Sequence, residues 1–100
     1  MNQQLRDNTV RITIKVFGGL RELFAGGTPS LQFSTPASLE TLLKELGITH
    51  PQLAAKLTAG LASGYLNALV NGRNARFLQG RETILQEDDT VAFLPPVGGG

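Results

Sequence analysis

The chain has 100 residues and a mass of 10.7 kDa, the usual size of one domain with a single core. Nine Lys and Arg against eight Asp and Glu leave a net charge of +1, which argues against nucleic acid as a partner. The absence of Cys excludes disulfides, thiolate metal sites and cysteine nucleophiles, and the single His excludes a multi-histidine metal cage. No segment approaches the roughly 20 apolar residues that cross a bilayer, so we expect a soluble cytoplasmic protein with no membrane partner.

The first strand begins after a polar segment. Residues 1–9 show no hydrophobic periodicity, and we expect a disordered leader before a domain that spans residues 10–97. From Val10 to Val16, β-branched residues alternate with mostly polar ones, which predicts a strand with one buried face. Leu31 and Phe33 alternate with polar residues in the same way and predict a second strand that forms a hairpin with the first.

A leucine stripe predicts the main helix over Ser38–Gly47. We expect Ser38 to cap its first turn, Glu40 and Lys44 to form an i,i+4 pair, and Gly47 to end it in a left-handed conformation. The leucines of the stripe are Leu39, Leu42, Leu43 and Leu46. A second, shorter helix is predicted over Pro51–Leu57, with proline at its first position.

Strands follow the helices. Leu66–Val70 is predicted to pair across an Asn71-Gly72 turn with a strand that runs on to Leu78. Ile84 and Leu85 predict a brief extended segment, and the last strand is predicted over Thr90–Leu94, after a turn at residues 87–89. One main helix across a mixed sheet gives an α+β domain, and the β-grasp arrangement, with adjacent and parallel first and last strands, fits this order best.

The tail that follows the last strand is the most informative segment. Pro95 and Pro96 keep the chain extended beyond the sheet, and Val97 leads into Gly98, Gly99 and Gly100. Three glycines alone are also typical of a disordered end. After a strand and two prolines, however, the glycines predict a thin arm, because a backbone without side chains can enter a channel that is too narrow for other residues.

The ending VAFLPPVGGG, from Val91 to Gly100, resembles that of the ubiquitin-like sulfur carriers of the ThiS/MoaD type, most closely the small subunit of molybdopterin synthase. The shared features are a final strand, Pro-Pro-Val, one variable small residue at Gly98 and a terminal Gly-Gly. The RELF segment at 21–24 and the VNGR turn at 70–73 are also similar. Asp88 departs from the pattern, since family members often have glycine in the turn before the last strand.

The resemblance implies that an adenylyltransferase related to ubiquitin activators uses ATP to adenylate the carboxylate of Gly100, and that a sulfur donor protein then supplies a thiocarboxylate. This thioglycine would enter the large subunit of molybdopterin synthase and pass sulfur to the pyranopterin precursor in molybdenum cofactor biosynthesis. The chain would be a carrier and co-substrate with no active site, metal or intrinsically bound cofactor of its own. Two alternatives remain: a sulfur carrier of thiamine or another pathway, and a ubiquitin-like modifier that forms isopeptides with lysines.

Alternation along the strands predicts a docking surface at the exit of the tail. If Val91 and Phe93 face the helix, Leu94 and Phe17 face outward at the ends of neighbouring parallel strands. We expect partners to contact this apolar pair together with Pro95, Pro96 and Val97, unless Phe17 folds under the loop that follows it. Two other groups of residues do not indicate a site. We interpret the acidic residues 87–89 as a solvated turn rather than a metal site, and His50 as a residue at a helix entrance.

Overall fold

The computed structural model describes residues 9–17, 20–21 and 30–95. Within these residues there are seven strands and two α-helices. The strands are β1 (Thr9–Val16), β2 (Ser30–Ser34), β3 (Ala37–Ser38), β4 (Asn67–Val70), β5 (Arg73–Asn74), β6 (Ile84–Leu85) and β7 (Thr90–Leu94). The helices are α1 (Leu39–Thr49) and α2 (Pro51–Ser63), and two 3₁₀ turns cover Ala75–Phe77 and Gly80–Glu82.

Five strands form a mixed sheet in the order β2-β1-β7-β4-β5, and β3 pairs with β6 in a separate two-stranded ladder. The first and last strands are adjacent and parallel, with Val16 opposite Phe93, as predicted. The hairpin of β1 and β2 is antiparallel, with Ile12 opposite Leu31. This arrangement confirms the predicted α+β β-grasp fold, and it places the last strand at the centre of the sheet.

The buried residues of β1 and the leucine stripe of α1 pack in the same core. Ile12 and Ile14 of β1 and Val91 and Phe93 of β7 are fully buried. The four leucines of α1 belong to the same buried cluster: Leu39, Leu42, Leu43 and Leu46. Each fully buried side chain of this size contributes about 1.5–3 kcal/mol to folding relative to an exposed one. The stripe is therefore core, and the other face of the sheet carries the polar members of the alternation.

Helix α1 begins as predicted but ends later. The hydroxyl of Ser38 accepts a hydrogen bond from the backbone N–H of Thr41 at 3.1 Å. Gly47 does not end the helix, which continues to Thr49 because Gly47 packs against α2. A Cβ added to Gly47 would lie 3.8 Å from Cβ of Ala54 in that helix. The predicted Glu40–Lys44 pair is also wrong, since Oε1 of Glu40 lies 2.7 Å from Nε of Arg81 in the second 3₁₀ turn.

Helix α2 is the longer of the two, contrary to the sequence prediction. It begins at Pro51 and continues past Leu57 to Ser63, where Gly64 with φ of 84° provides the left-handed cap. Its last turns pack on the segment that leads into β4: the backbone N–H of Leu66 donates to the carbonyl of Gly60 at 2.9 Å. The end of α2 therefore fixes where β4 starts beside β7.

The predicted hairpin at Asn71-Gly72 is confirmed. Both residues have positive φ, 51° and 86°, which is the geometry of a tight two-residue turn. The predicted strand to Leu78 is wrong beyond Asn74, since residues 75–77 form a 3₁₀ turn. The reason is local, because the side-chain oxygen of Asn74 accepts from the N–H of Arg76 at 2.9 Å and caps that turn.

Candidate functional site

The candidate site is the edge of the sheet where β7 delivers the chain to the surface. β7 is paired on both sides, in parallel with β1 and antiparallel with β4, where Asn67 lies opposite Leu94. Pro95 follows and is exposed. The predicted tail residues Pro96, Val97, Gly98, Gly99 and Gly100 lie outside the described residues, so their role stays a prediction. What the structure provides is a strand anchored on two edges immediately before the tail.

The predicted apolar pair lies at this edge. Because Val16 and Phe93 are opposite each other, Phe17 and Leu94 are the next residues on adjacent parallel strands. Phe17 is 48% exposed and Leu94 is half-buried. The alternative in which Phe17 folds under the following loop concerns a loop that lies outside the described residues. Two neighbouring apolar side chains at the exit of the tail are thus accessible to a partner.

The outward face of the central strands continues the accessible surface. Val16 and Phe93 face the core, so their neighbours Lys15 and Ala92, which lie opposite each other, face away from it. Leu69 of β4 is opposite Ala92 on the other side of β7 and is also half-buried. This face therefore has a small apolar centre with one exposed amine, that of Lys15.

One exposed aromatic at this edge was missed by the sequence analysis. Tyr65 precedes β4 by two residues and is 71% exposed, while its neighbour Leu66 is buried. No local pattern in the sequence indicated this exposure, because the predicted helix ended at Leu57 and Gly64 was not expected to cap it.

The acidic turn before β7 lies at the opposite end of that strand, and its carboxylates have structural partners. Oε1 of Glu87 accepts from the N–H of Arg11 at 2.9 Å, and Oδ1 of Asp89 accepts from Nδ2 of Asn71 at 2.8 Å. Oδ1 of Asp88 lies 3.5 Å from Nε of Arg11. Within residues 9–17, 20–21 and 30–95, no group of three or more His, Cys, Asp or Glu side chains is placed to hold a metal ion.

His50 joins α1 to α2 and is far from the tail along the chain. It is the residue between α1 and α2, and its Nδ1 is 2.9 Å from Oγ1 of Thr49. Its backbone carbonyl accepts from the N–H of Ala54. The predicted position at a helix entrance is confirmed. In the described part of the chain, no helix is long and apolar enough to cross a membrane.

The geometry defines a ubiquitin-like β-grasp domain that displays its carboxyl-terminal strand at the centre of the sheet. Comparison with known proteins is consistent with this class. The model of the ThiS family matches residues 14–100, and the chain belongs to that family. It is therefore a ubiquitin-like protein of the sulfur carrier and modifier group.

Several of the similar proteins come from archaea. Small archaeal modifier protein 3 of Haloferax volcanii is 28% identical over 92 residues, which cover 91% of this chain and 100% of that protein. The solution structure of small archaeal modifier protein 1 from Methanosarcina acetivorans is 34% identical, with a TM-score of 0.68 over 92% of this chain and 98% of that one. A putative molybdopterin converting factor subunit 1 from Pyrococcus furiosus has a TM-score of 0.69 at 21% identity, over 88% of this chain and 99% of that one, and shows the shared fold alone.

Proposed function

We propose that this chain is a sulfur carrier and that the carboxylate of Gly100 is its reactive group. One observation carries the proposal: β7 is held on both edges by β1 and β4 and reaches the surface at Pro95, five residues before Gly100. A strand fixed in this way gives the residues after Pro95 a fixed starting point at the surface. Five extended residues reach roughly 17 Å, which is enough to carry a terminal group into a partner's active site.

The residue types of the tail suit this task. Glycine has no side chain, so Gly98, Gly99 and Gly100 fit a channel only slightly wider than the backbone. Pro95 and Pro96 restrict the backbone before the glycines and reduce the entropy that is lost when a partner takes up the arm. The tail thus combines a stiff base with a narrow tip.

The chemistry proceeds in two balanced steps. An ionised carboxylate is a poor electrophile, so the carboxylate oxygen of Gly100 first attacks the α-phosphate of ATP, which forms an acyl adenylate and releases pyrophosphate. A sulfur donor protein then delivers sulfide to the carbonyl carbon, and AMP leaves with its oxygen. The product is a thiocarboxylate, and the catalytic groups for both steps belong to the activating enzyme and the donor.

We further propose that the recipient is the pyranopterin precursor of the molybdenum cofactor, bound by a molybdopterin synthase large subunit. The Pro95-Pro96-Val97 sequence before the glycines supports this recipient over the thiamine pathway, whose carriers usually lack it. Phe17 and Leu94 would form the contact surface for the large subunit beside the inserted tail. A dithiolene holds two sulfur atoms, so two thiocarboxylates are consumed and two carboxylates return.

Protein modification is the second candidate function, and a specific observation favours it. Two similar proteins are named as small archaeal modifier proteins, one of them 34% identical to this chain over nearly its whole length. In that function the adenylated Gly100 is attacked by a lysine amine of a target protein, and AMP leaves as an isopeptide bond forms. The same tail serves both functions, because the activation step is shared.

Mass spectrometry distinguishes the two functions. The purified chain is incubated with the activating enzyme of the same organism, ATP and sulfide, and its intact mass is measured before and after. Replacement of one oxygen by sulfur on the intact chain supports the carrier function, while adducts on lysines of added cell proteins support the modifier function. The intact mass before incubation also tests whether Gly100 carries the free carboxylate.

Deletion of Gly99 and Gly100, which leaves no terminal Gly-Gly, provides the matched control. The shortened chain should neither gain sulfur nor form adducts, while its melting temperature stays close to that of the full chain. The physical reason is that a terminal glycine has no side chain to bury, while the core of the described residues is formed by side chains up to Phe93 of β7. Sulfur uptake by the shortened chain would refute the assignment of Gly100.

A further inference from the structure

The side chain of Asn71 connects the turn between β4 and β5 to the start of β7. Its Nδ2 donates to Oδ1 of Asp89 at 2.8 Å, and its Oδ1 accepts from the backbone N–H of Thr90 at 2.9 Å. The backbone N–H of Asn71 also donates to the carbonyl of Thr90 at 2.8 Å. Three hydrogen bonds thus hold one exposed residue, and both polar atoms of its side-chain amide are engaged.

The residue after Asn71 makes this amide chemically vulnerable. Asn71-Gly72 is the only Asn-Gly pair in the sequence. A five-membered ring closes when the backbone nitrogen of the following residue attacks Cγ of an asparagine, and glycine has no side chain to obstruct that approach. Both residues are exposed, so burial does not keep water from the site. Protection in the folded chain therefore has to come from the fixed turn, with φ of 51° and 86°, and from the hydrogen bonds of Asn71.

We propose that Asn71 is a deamidation site that the folded turn masks and that opening of the turn exposes. The backbone nitrogen of Gly72 attacks Cγ of Asn71, and the new C–N bond closes a succinimide. The proton of that nitrogen passes through water to the side-chain nitrogen, which leaves as ammonia. Water then opens the ring at either carbonyl, which gives aspartate or isoaspartate, and in isoaspartate the main chain runs through Cβ. Water is the only co-reactant.

The hydrogen bonds of Asn71 set the size of the protection. Ring closure requires them to break, because Cγ has to turn from Thr90 and Asp89 to the nitrogen of Gly72. Loss of one such bond changes an equilibrium constant roughly fivefold, so three bonds together make the open turn roughly a hundredfold less populated. The folded chain should therefore deamidate at Asn71 roughly a hundredfold more slowly than the unfolded chain.

Either product weakens the connection between the turn and β7. An ionised aspartate at position 71 has no N–H to donate to Asp89, and it brings two carboxylates together, which repel each other. Isoaspartate also lengthens the main chain of a two-residue turn that sets the register of β4 with β5, where Val70 is opposite Arg73. A chain that deamidates while the turn is open therefore refolds to a less stable domain.

The test compares the full chain folded in sodium chloride with the same chain unfolded in guanidinium chloride, at equal ionic strength, pH and temperature. Mass spectrometry of the tryptic peptide that ends at Arg73 follows the mass gain of deamidation over time, and chromatography separates isoaspartate from aspartate. Asn67 lies in the same peptide before an alanine and is the internal control. Equal rates at Asn71 in the folded and unfolded chain would overturn the masking. Equal rates at Asn71 and Asn67 in the unfolded chain would overturn the site itself.

Two alanine variants of the acidic turn test the bond to Asp89. Asp89→Ala removes the acceptor of Nδ2 and should raise the rate at Asn71 in the folded chain roughly fivefold. Glu87→Ala removes a carboxylate of the same turn that accepts from the N–H of Arg11 instead, so the rate should stay that of the unmodified chain. Thermal melts verify that both variants are folded, and equal rates in the two would overturn the protective role of this bond.

Two aspartate variants test the consequence for stability. Asn71→Asp reproduces the aspartate product, and its positive φ is tolerated by aspartate, so the loss of the donor is the main change. We expect Tm to fall by roughly 4–8 °C, because the bond to Asp89 is lost. Asn74→Asp adds the same charge to the same hairpin but keeps the oxygen that accepts from the N–H of Arg76, so its Tm should not change. Equal Tm values for the two variants would overturn the weakening of the domain.

Discussion

Gly60 in α2 offers a sharp test of how the helix layer fixes β4. A Cβ added at this position would lie 2.5 Å from Cδ1 and 2.7 Å from Cγ of Leu66. Leu66 cannot easily withdraw, because its side chain is buried and its N–H donates to the carbonyl of Gly60 itself at 2.9 Å. A clash that reaches Cγ requires movement of the branch point of the side chain, not only of its tip.

The magnitude follows from two opposing effects of Gly60→Ala. Alanine is more favourable than glycine in a helix interior by about 1 kcal/mol. Overpacking of a filled core costs about 1–3 kcal/mol, and the contact to Cγ puts this site in the upper half of that range. We expect a net loss of about 1–2 kcal/mol in the free energy of unfolding. For a domain of this size each kcal/mol lowers Tm by roughly 4–8 °C.

Gly47→Ala is the matched control within α1. Its added Cβ would lie 3.8 Å from Cβ of Ala54, an ordinary contact, so the helix preference acts without a clash. Because Gly47 is close to the end of the helix, we expect a gain of about 0.5–1 kcal/mol. The two substitutions are chemically identical and are expected to have opposite signs.

The assay is urea unfolding followed by circular dichroism for both alanine variants and for a double-mutant cycle with Leu66→Ala. In the background of Leu66→Ala the contacts to Cγ and Cδ1 are removed and only the 3.2 Å contact to Cβ remains, so Gly60→Ala should be less destabilising there than in the unchanged chain by at least about 1 kcal/mol. If Gly60→Ala in the otherwise unchanged chain is as stable as Gly47→Ala, Leu66 moves freely and the reasoning is refuted. Equal effects of Gly60→Ala in both backgrounds would lead to the same conclusion.

Two further predictions concern the turn before β7 and the cap of α1. Asp88 has φ of 69°, so Asp88→Gly should be more stable than Asp88→Ala by about 1 kcal/mol in the same assay. Both variants lose the contact to Arg11, so equal stabilities would show that the backbone there is unstrained. Ser38→Ala should cost about 1 kcal/mol, because the bond to the N–H of Thr41 is lost. Ser34→Ala, an exposed serine in β2, is the control, and a similar loss there would contradict the capping role.

The order of the sheet could be predicted from sequence because alternation and turn chemistry are local signals. Val10–Val16 alternates with period two, and Asn71-Gly72 has the residues that a tight turn demands, so both elements appear where expected. The departure at Asp88 also has a physical explanation now. Its φ is positive, which is the conformation for which glycine is preferred, and the resemblance that favours glycine there reflects this backbone requirement.

Three of the errors share one cause, which is that distant contacts outweigh local preference. Gly47 has the residue type of a helix end, yet packing against α2 keeps it helical. Glu40 is spaced to pair with Lys44, yet Arg81, 41 residues away, takes its carboxylate. The exposure of Tyr65 was equally out of reach, because it depends on where α2 ends and β4 begins. None of these outcomes can be predicted from a few neighbouring residues in the sequence.

The central position of β7 has a consequence for the time at which the tail becomes usable. β1 and β4 both need β7 as their neighbour, and Thr13 pairs with Thr90, so the middle of the sheet cannot assemble until residues 90–94 have been synthesised. Contacts of such long sequence separation form late, because closing the intervening loop costs entropy first. A nascent chain that lacks β7 therefore has no ordered exit for the tail, and under the proposed function an activating enzyme would recognise only the folded domain.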